Sequence, residues 1–303
     1  MTRPLIIDTQ MHGRPGITGA FLVRGERTAL VESGPKSSID HVLSGLESEG
    51  VTELDWIVVT HIHLDHAGAA GALAQRFPGA RVAVHEVGAP HLADPSKLWS
   101  SASRIYGDEM ERLWGGIDPI DPDRIHVLRD GDKIDLGGRS LQAVDTPGHA
   151  GHHHTYLDDA TGIAFTGDAL GVRLPDVGIM RPATPPPEFN LDVAIDSIRR
   201  IQALGASSLW LTHYGPCDEG TDATDVDGAC ERAIEALRTW GSWIEEAREK
   251  TGDIDEVTDA VRSKVASALG GRIDSEALDR MEQTTSYRMN TWGYMRYFDK
   301  RSS

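Results

Sequence analysis

The stretch Thr60–His66, with the sequence THIHLDH, holds three imidazoles and a carboxylate within six residues. The apolar run WIVV stands directly before Thr60 and predicts a buried strand. His61 and His63 alternate at the period of an extended chain, so both side chains leave the strand end on one side. Asp65 and His66 come after the turn and can face a second ion. The stretch therefore predicts ligands for two metal ions.

Three further segments carry a ligand-type residue just after a strand-like run. They are Val144–His149, Ala164–Asp168 and Leu209–His213. Residues in this position lie on loops held by a rigid sheet, where binding sites are built. A lone histidine is usually an ordinary core or surface residue, but that explanation is weak for four segments with one pattern. The sequence therefore predicts that four strand ends supply metal ligands.

The His-x-His-x-Asp-His signature, followed by His, Asp and His in that order, resembles the metallo-β-lactamase superfamily of hydrolases over about residues 5 to 215. The resemblance implies two ligand sets joined by a bridging carboxylate. They are His61, His63 and His149 for one metal, Asp65, His66 and His213 for the other, and Asp168 as the bridge. Five histidines and two carboxylates suit two divalent transition-metal ions; Zn²⁺ is favoured, and Fe and Mn stay open.

The composition is that of an acidic globular protein. Of 303 residues, 39% are hydrophobic and 25% charged, and 30 basic against 47 acidic residues give a net charge of −17. Such a charge repels phosphate backbones and anionic membranes, so neither nucleic acid nor a membrane is expected as a partner. We expect a small-molecule substrate as the partner, and a homodimer stays open.

The N-terminus and the cysteines predict a cytoplasmic protein. The first residues have too short an apolar run for a signal peptide, and no stretch approaches the ~20 apolar residues of a membrane span. Cys217 and Cys230 form no Cys-x-x-Cys pair, which favours a reduced compartment. A disulfide between them stays open at this point.

Strand-like and helix-like patterns predict a mixed α/β or α+β fold. The resemblance narrows this to a four-layer αββα sandwich, two sheets covered by helices. We divide the chain into a catalytic domain over 1–222, with a helical insert over 88–124, and a C-terminal extension of about three helices over 223–303.

The insert is expected to contain one helix over Ser100–Trp114. Tyr106, Met110 and Trp114 then recur every four residues and form one stripe. Either this stripe docks the insert onto the core, or the insert covers the metal cleft. In the second case the substrate is a largely apolar carbonyl compound, because methionine and aromatic side chains adapt to apolar ligands.

The histidines outside the ligand set need separate interpretation. Five lack a ligand context and are expected to be structural or exposed: His12, His41, His85, His91 and His126. In the tract His152–His154, strand alternation would send His152 and His154 to one face and His153 to the other. His153 matches a histidine of the glyoxalase-II-like branch, which implies that it orients a ligand.

A dinuclear site supplies a hydroxide near neutral pH, a Lewis acid for a carbonyl oxygen and a second cation for the leaving group. We therefore expect a metal-dependent hydrolase of a small ester, thioester, lactone or amide, attacked by hydroxide held between the metals. Asp65 would orient the nucleophile and could shuttle its proton. Tyr214 would donate a hydrogen bond to the oxyanion or simply pack.

Comparison with branches of the superfamily narrows the substrate. Acyl-homoserine lactonases carry a tyrosine three residues after the bridging aspartate, where this chain has Gly171, and this difference disfavours an acyl-homoserine lactone as the substrate. The tail Tyr294–Phe298 does not match the basic glutathione-binding segment of hydroxyacylglutathione hydrolases, which disfavours a glutathione thioester. The alternative from another class is a persulfide-dioxygenase-like oxidoreductase, which binds a single iron through two histidines and an aspartate. Metal content distinguishes the two.

Overall fold

The computed structural model describes residues 2–217, 225–271 and 273–302. The chain divides into two compact units, Met1–Asp145 with His152–Gly167, and Thr146–Gly151 with Asp168–Ser303. The boundary that we place between residues 222 and 223 lies outside the described residues, so the division into a catalytic domain and an extension stays a prediction.

The first unit contains a six-stranded sheet whose strands follow chain order. They are β1 (Leu5–Asp8), β2 (Gly19–Arg24), β3 (Thr28–Val31), β4 (Trp56–Val58), β5 (Arg81–His85) and β6 (Ile125–Leu128). Strands β1 to β3 are antiparallel, with β2 and β3 forming a hairpin, and β3 to β6 are parallel. Because parallel strands end at one edge, Thr60–His66 after β4 lies at the same edge as His85.

Four antiparallel strands complete the sheets of this unit. They are β7 (Lys133–Asp135), β8 (Ser140–Asp145), β9 (His154–Asp158) and β10 (Ile163–Gly167). Turn-forming residues make two of the connections, at Gly137–Gly138 and at 158–162. In the register of β8 and β9, Asp145 lies directly opposite His154.

Six helices accompany these strands. They are α1 (Ile39–Ser48), α2 (Leu64–Ala67), α3 (Ala70–Arg76), α4 (Ala89–Ala93), α5 (Ser96–Tyr106) and α6 (Met110–Trp114). The predicted single helix over Ser100–Trp114 is therefore wrong. Gly107 ends α5 with a φ of +55°, a conformation that favours glycine, and the 3₁₀ turn Gly107–Glu109 separates α5 from α6.

The core of the first unit joins the six-stranded sheet to α1 and α3. Leu30, Ile57 and Val82 from the strands pack with Leu46 from α1 and Leu73 from α3, and all five are buried. Burying each such side chain contributes roughly 1.5–3 kcal/mol. This packing gives a rigid base for the loop that follows β4.

The second unit is mainly helical. It contains α7 (Leu191–Gln202), the hairpin β11 (Ser208–Leu211) and β12 (Gly215–Pro216), and then α8 (Val226–Arg248), α9 (Ile254–Leu269), α10 (Ser275–Thr284) and α11 (Tyr287–Ser302). Helix α7 agrees with its apolar periodicity, and the Asn190 side chain caps its first turn by accepting from Val193 N–H. Among the described residues from 225 onward there are four helices, where the sequence predicted about three.

The structure confirms a mixed α/β fold with two sheets and many helices. Among the described residues, no helix combines the length and the apolar character needed to cross a membrane.

Candidate metal centre

Four of the predicted ligands lie at the C-terminal end of β4. The ring centroid of His61 lies 4.6 Å from that of His63 and 4.0 Å from that of His66. His61 Nε2 and His63 Nδ1 face each other at 2.9 Å, and Asp65 Oδ2 lies 3.6 Å from His66 Nε2. Two imidazole nitrogens at such a distance must share one proton or offer their lone pairs to a cation. The donor chemistry fits a transition-metal ion.

A buried carboxylate sets the orientation of two of these rings. Thr60 Oγ donates to Glu32 Oε1 at 2.6 Å, and its oxygen lies 3.0 Å from His61 Nδ1. His66 Nδ1 lies 3.2 Å from the same Glu32 oxygen. Protons on both Nδ1 atoms satisfy these contacts and leave the lone pairs of His61 and His66 on Nε2, the form that binds a metal.

Sequence analysis missed Glu32. Its signal is an acidic residue directly after the apolar strand β3, where a buried charge needs partners. Glu32 directly follows β3 and its side chain is buried. Its backbone φ of +69° is unusual for a residue with a side chain.

The other three predicted ligands belong to the second unit. Asp168 Oδ2 lies 3.5 Å from His149 Nε2, and Asp168 Oδ1 lies 3.5 Å from His213 Nε2. All three residues are buried. Two ligands of one tetrahedral zinc ion are about 3.4 Å apart, as follows from bond lengths of about 2.0–2.1 Å. Each carboxylate oxygen thus faces a different imidazole, as a bridging carboxylate requires.

Helix α7 positions the loop that carries His149. Gly148 has a φ of +123°, and a Cβ there would collide with the backbone of Ala194. Ser197 Oγ donates to Pro147 O at 2.6 Å, and His149 Nδ1 donates to Ala183 O at 2.9 Å. The second bond directs Nε2 of His149 toward Asp168.

The tract His152–His154 does not follow strand alternation, and that prediction is wrong. The rings of His152 and His153 both lie close to His61, at 6.1 and 4.9 Å between centroids, whereas the ring of His154 lies 4.5 Å from that of His85. The reason is that β9 begins only at His154, so His152 still belongs to the preceding turn.

The insert brings an aromatic cluster to the side of Asp65. Met110 and Trp114 are buried together with Leu64, and the ring of Tyr106 lies 5.1 Å from that of Trp114. Burial and the Asp65 carboxylate both raise the pKa of Tyr106, which keeps its hydroxyl protonated.

His12 belongs to the same region, although its sequence context suggested no role. Its ring lies 5.7 Å from that of Trp114. Burial lowers the pKa of His12, and the Asp65 carboxylate partly opposes this. The ring therefore stays neutral beside the apolar cluster.

Tyr214 follows His213 in the turn between β11 and β12. Its ring packs against the apolar cluster around Val172 and Leu174. This contact favours the packing role over the oxyanion-donor role, both of which the sequence allowed.

The described residues contain groups of His and Asp side chains that could hold a metal ion, and all seven predicted ligands belong to such groups. A further group, His85, Asp145 and His154, was not predicted as ligands. Its signal in the sequence is weak, because the three residues end or begin strands that are far apart along the chain.

Comparison with known proteins identifies the family of the chain. The model of the metallo-beta-lactamase superfamily matches residues 13–213. The chain belongs to this superfamily. A metallo-beta-lactamase fold-containing protein of Sulfurisphaera tokodaii is 30% identical over 206 residues, which cover 66% of this chain and 74% of that protein. A hydroxyacylglutathione hydrolase of Aeromonas hydrophila is 30% identical over 151 residues, 50% of this chain and 45% of that enzyme.

The solved structures show the same fold. A metallo-beta-lactamase family protein of Thermus thermophilus superposes with a TM-score of 0.65 at 21% identity, covering 94% of this chain and 89% of that one. The expected metallo-β-lactamase fold is thereby confirmed.

Proposed function

We propose that the protein is a metal-dependent hydrolase of a small carbonyl substrate and that the seven predicted ligands form one dinuclear centre. The observation that carries this proposal is Asp168, whose two oxygens each lie 3.5 Å from the Nε2 of a different histidine. Each oxygen can therefore share an ion with a different histidine, which is what a bridging carboxylate needs. The superfamily to which the chain belongs is largely composed of hydrolases, which supports the reaction class.

Two divalent ions, when bound, would acidify a water molecule and polarise a carbonyl oxygen. The donor set of imidazoles and carboxylates without thiolate favours Zn²⁺, and Fe and Mn remain compatible with it.

Asp65 is suited to orient the attacking water and to hold its proton. Its side chain is 17% exposed, whereas His66 beside it is fully buried, so the carboxylate lies at the border between protein and solvent. A carboxylate in this position can accept a hydrogen bond from water while its other oxygen stays near His66.

The aromatic cluster beside Asp65 supports a largely apolar substrate. Tyr106 would form part of the pocket wall, and its hydroxyl would donate a hydrogen bond to a polar atom of the substrate. Met110 and Trp114 are too deeply buried to be the contact surface themselves, so they hold Tyr106 in place.

Metal analysis combined with an activity screen tests this function. The purified protein should hold about two transition-metal ions per chain and hydrolyse an activated ester or thioester. Chelation should abolish turnover, and Zn²⁺, Mn²⁺ or Co²⁺ should restore it. His63→Ala and Asp65→Ala should be folded and inactive, while His91→Ala, which changes a half-buried histidine on α4 outside the ligand set, should retain activity.

A different outcome would favour the oxidoreductase. A single iron per fully loaded chain, with thiol-dependent oxygen uptake and no turnover across a broad carbonyl panel, would replace the hydrolase by a persulfide-dioxygenase-like activity.

A further inference from the structure

A second cluster of ligand-type side chains lies in the first unit, outside the proposed dinuclear centre. It comprises His85 at the end of β5, Asp145 at the end of β8 and His154 at the start of β9. Asp145 Oδ1 lies 2.8 Å from His154 Nε2 and 3.6 Å from His85 Nε2. These distances bracket the value of about 3.4 Å that separates two ligands of a tetrahedral zinc ion.

The cluster is enclosed on one side and open on the other. The side chain of His154 is fully buried and that of His85 is 10% exposed, whereas the side chain of Asp145 is 36% exposed. Three protein ligands with one solvent-facing side leave room for water as a fourth ligand. An ion can also reach the cluster from solvent.

The charge around the two imidazoles favours a cation. Each neutral imidazole offers one lone pair to a metal ion, and the Asp145 carboxylate lies within 3.6 Å of both rings. The carboxylate of Glu86 lies near both rings, and that of Asp130 lies near His154 and accepts from Asp145 N–H at 3.0 Å.

We propose that His85, Asp145 and His154 bind a divalent transition-metal ion of the zinc type. This site is separate from the dinuclear centre and does not rest on the proposed hydrolase function. Imidazole and carboxylate donors in this ratio match those of mononuclear zinc sites with an open position.

Binding requires a tautomer change in both histidines. His154 Nε2 donates to Asp145 Oδ1 at 2.8 Å, so its proton is on Nε2 and moves to Nδ1 when Nε2 binds the ion. Val87 N–H donates to His85 Nδ1 at 3.0 Å, so the proton of the neutral ring is on Nε2. Coordination through Nε2 moves this proton to Nδ1 and replaces the bond to Val87. Val87 lies in an exposed turn with its side chain at the surface, where water can accept the hydrogen bond from its N–H. The site should therefore bind more weakly than one with a preformed tautomer.

Zinc stoichiometry tests this site. Chelator-treated wild type, His85→Ala and the control His91→Ala are dialysed against buffered free Zn²⁺, and the ions per chain are counted by mass spectrometry. We expect His85→Ala to bind one ion fewer than wild type, and His91→Ala to match wild type. This difference of one ion holds whether or not the dinuclear centre loads as proposed.

A second variant protects the test against misfolding. Asp145→Asn keeps the size of the side chain and an oxygen that can accept from His154, and it removes the charge. We expect the affinity for this ion to fall at least tenfold, with an unchanged circular dichroism spectrum. Equal zinc binding by wild type and both folded variants would overturn the proposal.

The wild-type protein gives an independent result. Zn²⁺ should shift the ring ¹⁵N resonances of His85 and His154, since metal coordination replaces a proton on Nε2. Unchanged ring ¹⁵N resonances of His85 and His154 at saturating Zn²⁺ would show that the cluster is only a hydrogen-bonded link between strands.

Discussion

The ligands proposed for the dinuclear centre come from one short segment after β4 in the first unit, whereas those of the second unit come from three separate loops. In the first unit, the buried carboxylate of Glu32 fixes the rings through Thr60 and His66 Nδ1. In the second unit, Asp168 itself connects two histidines. Glu32, which is not a proposed ligand, orients the ligands of the first unit. Asp168, which is proposed to bind both ions, connects the ligands of the second unit.

This difference has consequences for substitutions. Loss of a ligand from the first unit should affect mainly one ion, because the neighbouring ligands keep their orientation. Loss of the shared carboxylate in the second unit should affect both ions at once.

The largest effect is therefore expected for Asp168→Ala. This variant should lose more metal than His66→Ala and fall below detectable hydrolysis, since the bridge is removed. Metal content per chain and turnover of an activated ester are measured for both variants after identical purification. Equal metal loss in the two variants would contradict the bridging role and remove the contrast between the units.

The next largest effect is expected for Glu32→Gln in the first unit. The amide can no longer hold the protons on His61 and His66 through the charged oxygen, so zinc affinity should fall about 10–100-fold. The measurement is competition with a chromophoric chelator. Glu53→Gln, at an exposed position, is the control and should bind like wild type. An unchanged affinity in Glu32→Gln would mean that the rings are held by their packing alone.

In the second unit, the corresponding support is the packing of the His149 loop, which Gly148→Ala should disturb. The new Cβ meets the backbone of Ala194 and also demands a positive φ. The control Gly13→Ala also introduces a side chain at a positive φ, +75° against +123° at Gly148, but meets no atom within 4 Å. We expect the control to lose about 1 kcal/mol of unfolding free energy and Gly148→Ala to lose more than that, with reduced metal content. Equal losses of unfolding free energy for the two variants in urea titrations would show that the His149 loop accommodates the new Cβ without an energetic cost.

The contrast between the units also explains what the sequence could predict. The first four ligands form a contiguous motif after an apolar strand, so the local sequence pattern predicts them. His149, Asp168 and His213 were assigned through the resemblance, because nothing local in the sequence says that separate loops meet. Their roles as ligands stay a prediction that the metal measurements test.

Long-range partners account for what the sequence analysis missed. Glu32 follows an apolar strand and His85 ends one, but their roles depend on side chains contributed by other segments of the chain. The helix over Ser100–Trp114 was wrong because its apolar stripe continues across Gly107, although the backbone does not. Periodicity records which residues face the core, and here the three aromatic and methionine residues still pack in one cluster despite the break.

The smallest effect is expected at the aromatic cluster beside Asp65. Tyr106→Phe keeps the ring and removes the hydroxyl, so stability should change little while KM for a substrate with a polar group near the ring rises a few-fold. Trp114→Ala instead removes a buried side chain and should cost about 3–5 kcal/mol of unfolding free energy. Kinetics on both variants, at equal metal content, separate the two roles. If Tyr106→Phe has the kinetic constants of wild type across the carbonyl panel, the Tyr106 hydroxyl does not contact the substrate, and the hydrogen bond proposed for it fails.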